Sequence, residues 1–367
     1  MLIDQPLPFI KDFINQLNDS INGQNSKQSL SLTQRAWLAF CLMGILITNS
    51  ICWAKFERAS FGSYPRTALS WMFKHAKIPW EKLLTASVRL ILKKYGILEG
   101  MLVIDDSDKK RSKSAKKISQ VHKFYDKTSG GYINGQEFIV LLLVTAQITI
   151  PVGFAFYQPD PVYSKWKKQD KKLKLKKVPK KNRPVAPPKN KDYPTKLEIA
   201  LNLLEDFKHC HPTFKVKVIL ADALYGTCVF LDQAAAKFGG IQVISQIRCD
   251  QNIRYKGKTK SVKKFFSHYT CIPQNLSIRG GTQRQVEVGS ARLYVNAHNK
   301  KRFVIGLKYE GESDYRYLVA SNLSWRTQDI VQAYTYRWLV EVFFEDWKLY
   351  EGWGALASIV MMDRAEA

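Results

Sequence analysis

AYTYRWLVEVFFEDWKLYEGW, residues 333–353, is a helical pattern that is apolar around most of its circumference. At roughly 100° per residue, Tyr334, Arg337, Glu341, Glu345 and Lys348 fall on one polar stripe about 80° wide. The rest of the surface is Trp338, Leu339, Val340, Val342, Phe343, Phe344 and Trp347. A helix of this kind is expected to be buried. Burying carboxylates beside Arg and Lys is costly unless the charges are paired or hold a metal. The stripe is therefore expected to face a polar cleft inside the fold, with an internal Arg–Glu–Lys salt-bridge ladder as the plainer alternative.

The rest of the chain agrees with a large folded protein that handles polyanions. Its 367 residues are 46% hydrophobic, enough for a sizeable core and two or three domains. Lys and Arg number 57 against 31 Asp and Glu, a formal charge of +26 that favours nucleic acid over an anionic membrane. The longest apolar run, Trp37–Ile47, is too short to span a bilayer, which takes about 20 residues. It follows Ser31 and Gln34, spaced as a capping box, and reads as a core helix. The first ten residues, MLIDQPLPFI, carry no basic signal-peptide start. Six scattered cysteines without CxxC spacing fit reduced thiols, hence a cytoplasmic protein. His209-Cys210-His211 has no distant pair to complete a zinc site.

Residues 1–95 carry helical patterns, around 32–49, 65–76 and 81–95, and almost no strand signal. Such a head could grip DNA through Lys74, Arg89, Lys93 and Lys94, or merely pack. From Gly100 the texture changes: Met101–Ile104 reads as a short strand ending in Asp105-Asp106-Ser107, and Phe138–Ala146 and Ile150–Tyr157 as a hairpin. Lys165–Lys191 then holds 13 Lys or Arg, one acid and prolines at 179, 184, 187 and 188, the composition of a mobile loop with a phosphate-contacting role. A helix at about 195–208, a strand Val216–Ala221 ending in Asp222, a helix at about 226–238 and a strand Ile241–Ile247 alternate as in an α/β core. Residues 250–322 are β-rich, with strands at Gln285–Val295, Phe303–Lys308 and Tyr315–Ser321.

Asp105 and Asp222 each follow a buried-type strand, where open α/β sheets place ligands, and Glu341 lies on the polar stripe. If these strands are neighbours, three carboxylates converge, and carboxylate oxygens suit Mg²⁺. A pair of such ions can activate an oxygen nucleophile and stabilise the leaving oxygen of a phosphodiester.

Tyr334-x2-Arg337-x3-Glu341-x6-Lys348 matches the Y-x2-R-x3-E-x6-K signature of DDE transposases from bacterial insertion sequences. Asp222-Ala-Leu-Tyr225-Gly resembles their second-Asp motif and Asp105-Asp-Ser107 their first, and the likeness runs from about 100 to 354. It implies an RNase H-like core, residues 96–249 with a basic loop at 159–194, interrupted by a β-rich insertion at 250–322 and resumed by a catalytic helix at 323–355. A helical N-terminal domain, 1–95, would precede it and a tail, 356–367, follow it. Asp105, Asp222 and Glu341 would be catalytic metal ligands for two Mg²⁺ ions, with Mn²⁺ able to substitute, and Tyr334, Arg337 and Lys348 would contact DNA. Asp106 is the alternative first ligand, because the motif can be slid by one residue. The implied activity is cleavage at element ends and strand transfer into target DNA by a homodimer in a synaptic complex on the bacterial nucleoid. The other readings are a nuclease without strand transfer and a decayed or domesticated DNA-binding protein. Two departures stand out. Only 19 residues follow Lys348, which leaves little room for a C-terminal dimerisation domain and fits a truncated or frameshifted copy. No Trp lies between Asp222 and Trp325, so stacking on a flipped base would fall to Phe265, Phe266 or Tyr269.

Overall fold

A computed structural model describes residues 5–22, 29–112, 118–126, 129–277 and 283–349, without the side chains of Asn22, Lys348 and Leu349. Five helices come first: α1 (Pro8–Asn22), α2 (Leu32–Thr48), α3 (Trp53–Ala59), α4 (Arg66–His75) and α5 (Trp80–Lys94). Ile10, Ile14, Leu17 and Ile21 of α1 repeat at helical spacing and pack on Trp37, Phe40 and Met43 of α2. Ser31 and Gln34 form the expected capping box at the start of α2. No single described helix is long and apolar enough to cross a membrane; α2 and α3 together pass that test by composition but are bent by 86°. Val88 and Leu92 of α5 belong instead to the core beneath the sheet, which joins the helical head to the strands.

The strands are β1 (Glu99–Lys110), β2 (His122–Asp126), β3 (Gly131–Val144) and β4 (Thr149–Tyr157), then, after the helices α6 (Pro161–Leu175) and α7 (Lys196–Cys210), β5 (Lys215–Ala221). Next come α8 (Cys228–Lys237), β6 (Gln242–Gln246), β7 (Asn252–Tyr255), β8 (Lys258–Ser261), α9 (Val262–Phe266), β9 (Ile272–Ser277), β10 (Gln283–Val295), β11 (Lys300–Tyr309) and β12 (Arg316–Ala320). The helices α10 (Thr327–Thr335) and α11 (Leu339–Leu349) close the described chain. The result is a mixed α/β fold on one large sheet, in the order β2-β3-β1-β5-β6-β12-β11-β10-β7-β8, with β4 also on β3 and β9 also on β10. β1, β5 and β6 run parallel, while β3, β4 and β12 run against their neighbours.

Each face of the sheet has its own core, because alternate side chains of a strand point opposite ways. Leu102 and Ile104 of β1 pack with α7 and α8, and Val103 packs with Ile330, Val331, Tyr334 and Val340 of α10 and α11. The β-rich segment is not a separate sheet, since β12 pairs with β6 and carries the core sheet onward.

Several local expectations are corrected. β1 does not end at Ile104: the long partner β3 supplies ladder positions as far as Lys110↔Gly135, so Asp105 and Asp106 lie within the strand. The segment 159–194 is not a bare loop. Asp160 caps α6 with Pro161 at its first position, and Asp170 ties the returning chain to that helix through Arg183. The 333–353 pattern is not one helix: α10 stops at Thr335, a 3-10 turn spans Tyr336–Trp338, and α11 begins at Leu339. The Thr335 hydroxyl donates back to the Gln332 carbonyl there, a bond that competes with a regular helical ladder. The break turns Trp338 outward, 54% exposed despite its apolar character. The tail lies outside the described residues.

Candidate active site

The parallel register of β1 and β5 ends at Ile104↔Ala221. The next residues on the two strands are Asp105 and Asp222, and neighbouring strands lie about 4.8 Å apart. Asp105 falls on the Val103 side of β1, the face covered by α10 and α11. Its side chain is 13% exposed and its Oδ2 accepts from Arg337 at 3.1 Å, while Oδ1 accepts from the Asp106 amide at 2.8 Å. Asp222 starts a 3-10 turn, Ala223–Tyr225, and its side chain makes no capping bond to it, which leaves the carboxylate available.

Gly226, which closes that turn, packs so tightly on β6 that a Cβ there would collide with the Gln246 carbonyl. The Ser245 hydroxyl donates to the Asp222 carbonyl at 2.7 Å, anchoring the same turn from β6.

Glu341 enters from the first turn of α11, where the helix dipole favours a carboxylate. Arg337 reaches it at 2.5 Å, four residues back and across the 3-10 turn. One guanidinium thus ties Asp105 to Glu341. Burial works against the Arg337 charge, but Tyr334, Asp105, Glu341 and Asp222 more than offset it and raise its pKa. The balance differs at Asp105. Its carboxyl is raised to about 7: burial pushes it up most, Arg337 pulls it down, and the Asp222 and Asp106 charges add to the rise.

Asp106 points to the opposite face. Its Oδ2 accepts from the Lys196 ammonium at 2.5 Å, and Lys196 also bonds Glu137 at 2.7 Å. Glu137 holds His122 Nε2 at 2.8 Å. Of the two neighbours, Asp105 is the one gathered with Arg337 and Glu341, and Asp106 belongs to a charge network behind the strand.

The other expected residues divide. Tyr334 is buried, with its hydroxyl 3.5 Å from the Ala221 carbonyl, so it backs the Asp222 turn instead of facing outward. The Lys348 side chain lies outside the described residues. Phe265 and Phe266 are core residues, Phe266 packing against Tyr317, and are not available for stacking. Tyr269 lines an open groove with Tyr255, Arg292 and Trp325.

Two residues behind the site, on the Asp106 face of the sheet, carry no role that the sequence alone reveals. Lys196 gives no signal there, being one lysine among many. Tyr225 stands within the Asp222 motif, which assigns it nothing. Its hydroxyl is fully buried without a hydrogen-bond partner among the described residues, and burial together with Asp106, Asp105 and Asp222 holds it protonated.

Among the described residues, no three His, Cys, Asp or Glu side chains are gathered closely enough to hold a metal ion by themselves. Mg²⁺ commonly takes only one or two carboxylates, with water and substrate phosphate completing its shell. Asp105 and Asp222, adjacent oxygen donors on one face of the sheet, fit such an ion.

A family model described as DDE superfamily endonuclease matches residues 27–262, a span that takes in Asp105 and Asp222 and stops before Glu341. No curated protein matches the chain. Among solved structures, the NurA nuclease from Sulfolobus solfataricus aligns over 65% of this chain and 72% of its own, at 7% identity and a TM-score of 0.29, a likeness too distant to bear on the fold.

Proposed function

The chain belongs to the DDE superfamily endonucleases, and from that premise we propose that it is an insertion-sequence transposase, cutting DNA at element ends and joining the freed 3′-OH to target DNA. The observation that carries the reading is the meeting of Asp105 and Asp222 on adjacent parallel strands, with Glu341 drawn to them by Arg337. The strand order β4-β3-β1-β5-β6, with a long antiparallel β1–β3–β4 meander and parallel β5 and β6, supports an RNase H-like core. The helices before β1 would be an N-terminal domain and β7–β12 the insertion.

Asp105, Asp222 and Glu341 would hold divalent metal, Mg²⁺ or Mn²⁺, in a two-ion arrangement. When bound, such ions supply positive charge to the reacting phosphodiester and lower the pKa of its oxygen nucleophile. Arg337 fixes Asp105 and Glu341 relative to each other, and Arg337 and Lys348 would meet DNA phosphate. Tyr334 supports the Asp222 turn. In the first step a water oxygen bonds to phosphorus and the bond to the 3′ oxygen breaks, releasing a 3′-OH. In the second, that hydroxyl attacks a target phosphodiester, forming a new bond from its oxygen to phosphorus and releasing a target 3′-OH. Two protomers, one at each end, would make the synaptic complex.

The test is cleavage and joining on duplexes taken from the DNA flanking the coding region, with Mg²⁺, resolved on sequencing gels. The wild type should cut and join, and Asp105→Asn, Asp222→Asn and Glu341→Gln should each abolish both steps while still binding DNA. Cutting without joining would make the protein a nuclease, and binding without either would leave a DNA-binding protein with structural acids.

A further inference from the structure

Residues 158–195 leave the sheet at the end of β4 and return at the start of α7, and the two roots touch. The Lys196 ammonium lies 5.4 Å from the Tyr157 ring centre while it bonds Asp106 and Glu137. This excursion is therefore rooted on the residue next to Asp105.

It is also internally ordered. Asp160 accepts from the Val162 and Tyr163 amides at the head of α6. Asp170, the one acid of Lys165–Lys191, is 8% exposed and accepts from Arg183 and Lys174, each at 2.8 Å. The Trp166 indole donates to the Pro184 carbonyl at 2.9 Å, stapling the returning chain to the helix. Trp166 and Asp170 face the returning chain. At about 100° per residue, Lys165, Lys168, Lys171 and Lys172 fill a sector roughly 120° wide on the opposite side. All four are exposed and have no side-chain partner among the described residues. Four like charges on one helical face repel one another, and a polyanion laid along them would remove that repulsion. A membrane-surface helix would instead turn its aromatic face outward, whereas the Trp166 indole is used within the arm.

We propose that residues 158–195 form a pre-organised arm in which Lys165, Lys168, Lys171 and Lys172 grip the phosphate backbone of duplex DNA without reading sequence. This deepens the reading of the protein as a DNA-processing enzyme, and its test does not depend on catalysis. Binding of the full-length chain to fluorescent duplexes is measured by anisotropy across a salt series without divalent metal. Replacing the four lysines together by Gln should shrink the slope of log affinity against log salt by about 3–4, near 0.9 for each lost phosphate contact. The loss should be equal on an element end and on an unrelated duplex.

Asp170→Asn is the sharper variant, because it adds net positive charge while cutting the staple. Loose charges predict equal or tighter binding, and a pre-organised arm predicts weaker binding. An unchanged slope in the lysine variant, or undiminished binding by Asp170→Asn, overturns the proposal. So does loss of binding to phosphatidylserine vesicles by the lysine variant with DNA binding intact. If the arm binds DNA and the wild type never cuts it, the transposase reading fails and the arm stands; cutting with an unchanged slope gives the reverse.

Discussion

Asp105 and Asp106 are chemically alike and adjacent, yet the strand sends one into a cleft against Arg337 and the other onto Lys196. The consequence for Asp105 is a carboxyl raised to about 7, chiefly by burial. A raised carboxyl means that the folded protein keeps a proton that the unfolded chain gives up. Its stabilising contribution is present below the ordinary carboxylate range and is lost as pH rises towards 7. Asp105→Asn should therefore be more stable than the wild type at pH 8 in metal-free buffer. The gap should close as pH falls to 5, by up to about 1.4 kcal/mol per pH unit. Urea titrations at several pH values measure this, and a gap independent of pH would mean that the carboxyl is not perturbed. The sequence could not choose between these two neighbours. Their alternation was certain, but which face α10 and α11 would cover depends on contacts more than 200 residues away.

The break between α10 and α11 sets where Arg337 can reach. The i, i+4 spacing of Arg337 and Glu341 was legible and their ion pair forms, because the 3-10 turn alters the path by too little to part them. The break itself was not legible, since residues 336–338 have no Pro or Gly to announce it. Nor was the order in α6, which depends on a single acid finding Arg183 thirteen residues on. The helical spacing of Ile10, Ile14, Leu17 and Ile21 in α1, by contrast, is plain in the sequence itself.

Because Arg337 neutralises a buried carboxylate, Arg337→Ala should destabilise the protein by about 3 kcal/mol at pH 8. The loss should be smaller at pH 5, where Asp105 is already protonated. In the double variant with Asp105→Asn the two effects should fall well short of additive. Additive losses at pH 8 would separate Arg337 from Asp105 energetically and assign its role to Glu341 alone.

At the scale of the whole molecule, the alternation of strands and helices in residues 100–247 was legible because each element has its own hydrophobic period. The continuity of the sheet through β12 was not, because nothing local in β6 states which strand will cover its outer edge. That continuity brings the β-rich segment into contact with the candidate site. Arg302 of β11, 2% exposed, donates to Asp232 of α8 at 2.7 Å and to His298 Nδ1 at 3.2 Å. His298 Nε2 lies 3.1 Å from the carbonyl of Gly226, in the turn that presents Asp222. A chain of polar contacts thus runs from β11 to the turn that follows Asp222.

Arg302→Met keeps length and burial but removes the bonds donated to Asp232, His298 and Cys228. Asp232 retains Lys300 and is partly hydrated, so the loss should be about 1–3 kcal/mol, less than for a fully buried pair. The local effect is the more telling. With His298 no longer held at Nδ1, the Gly226 carbonyl loses a fixed partner, and the amides of Tyr225, Gly226 and Thr227 should exchange with solvent faster than in the wild type. Cleavage should then fall more than DNA binding, since the turn orients Asp222 and the arm does not touch it. Hydrogen exchange read residue by residue decides the matter. Wild-type rates at residues 225–227, alongside a measurable global loss of stability, would make Arg302 a core residue with no hold on the site.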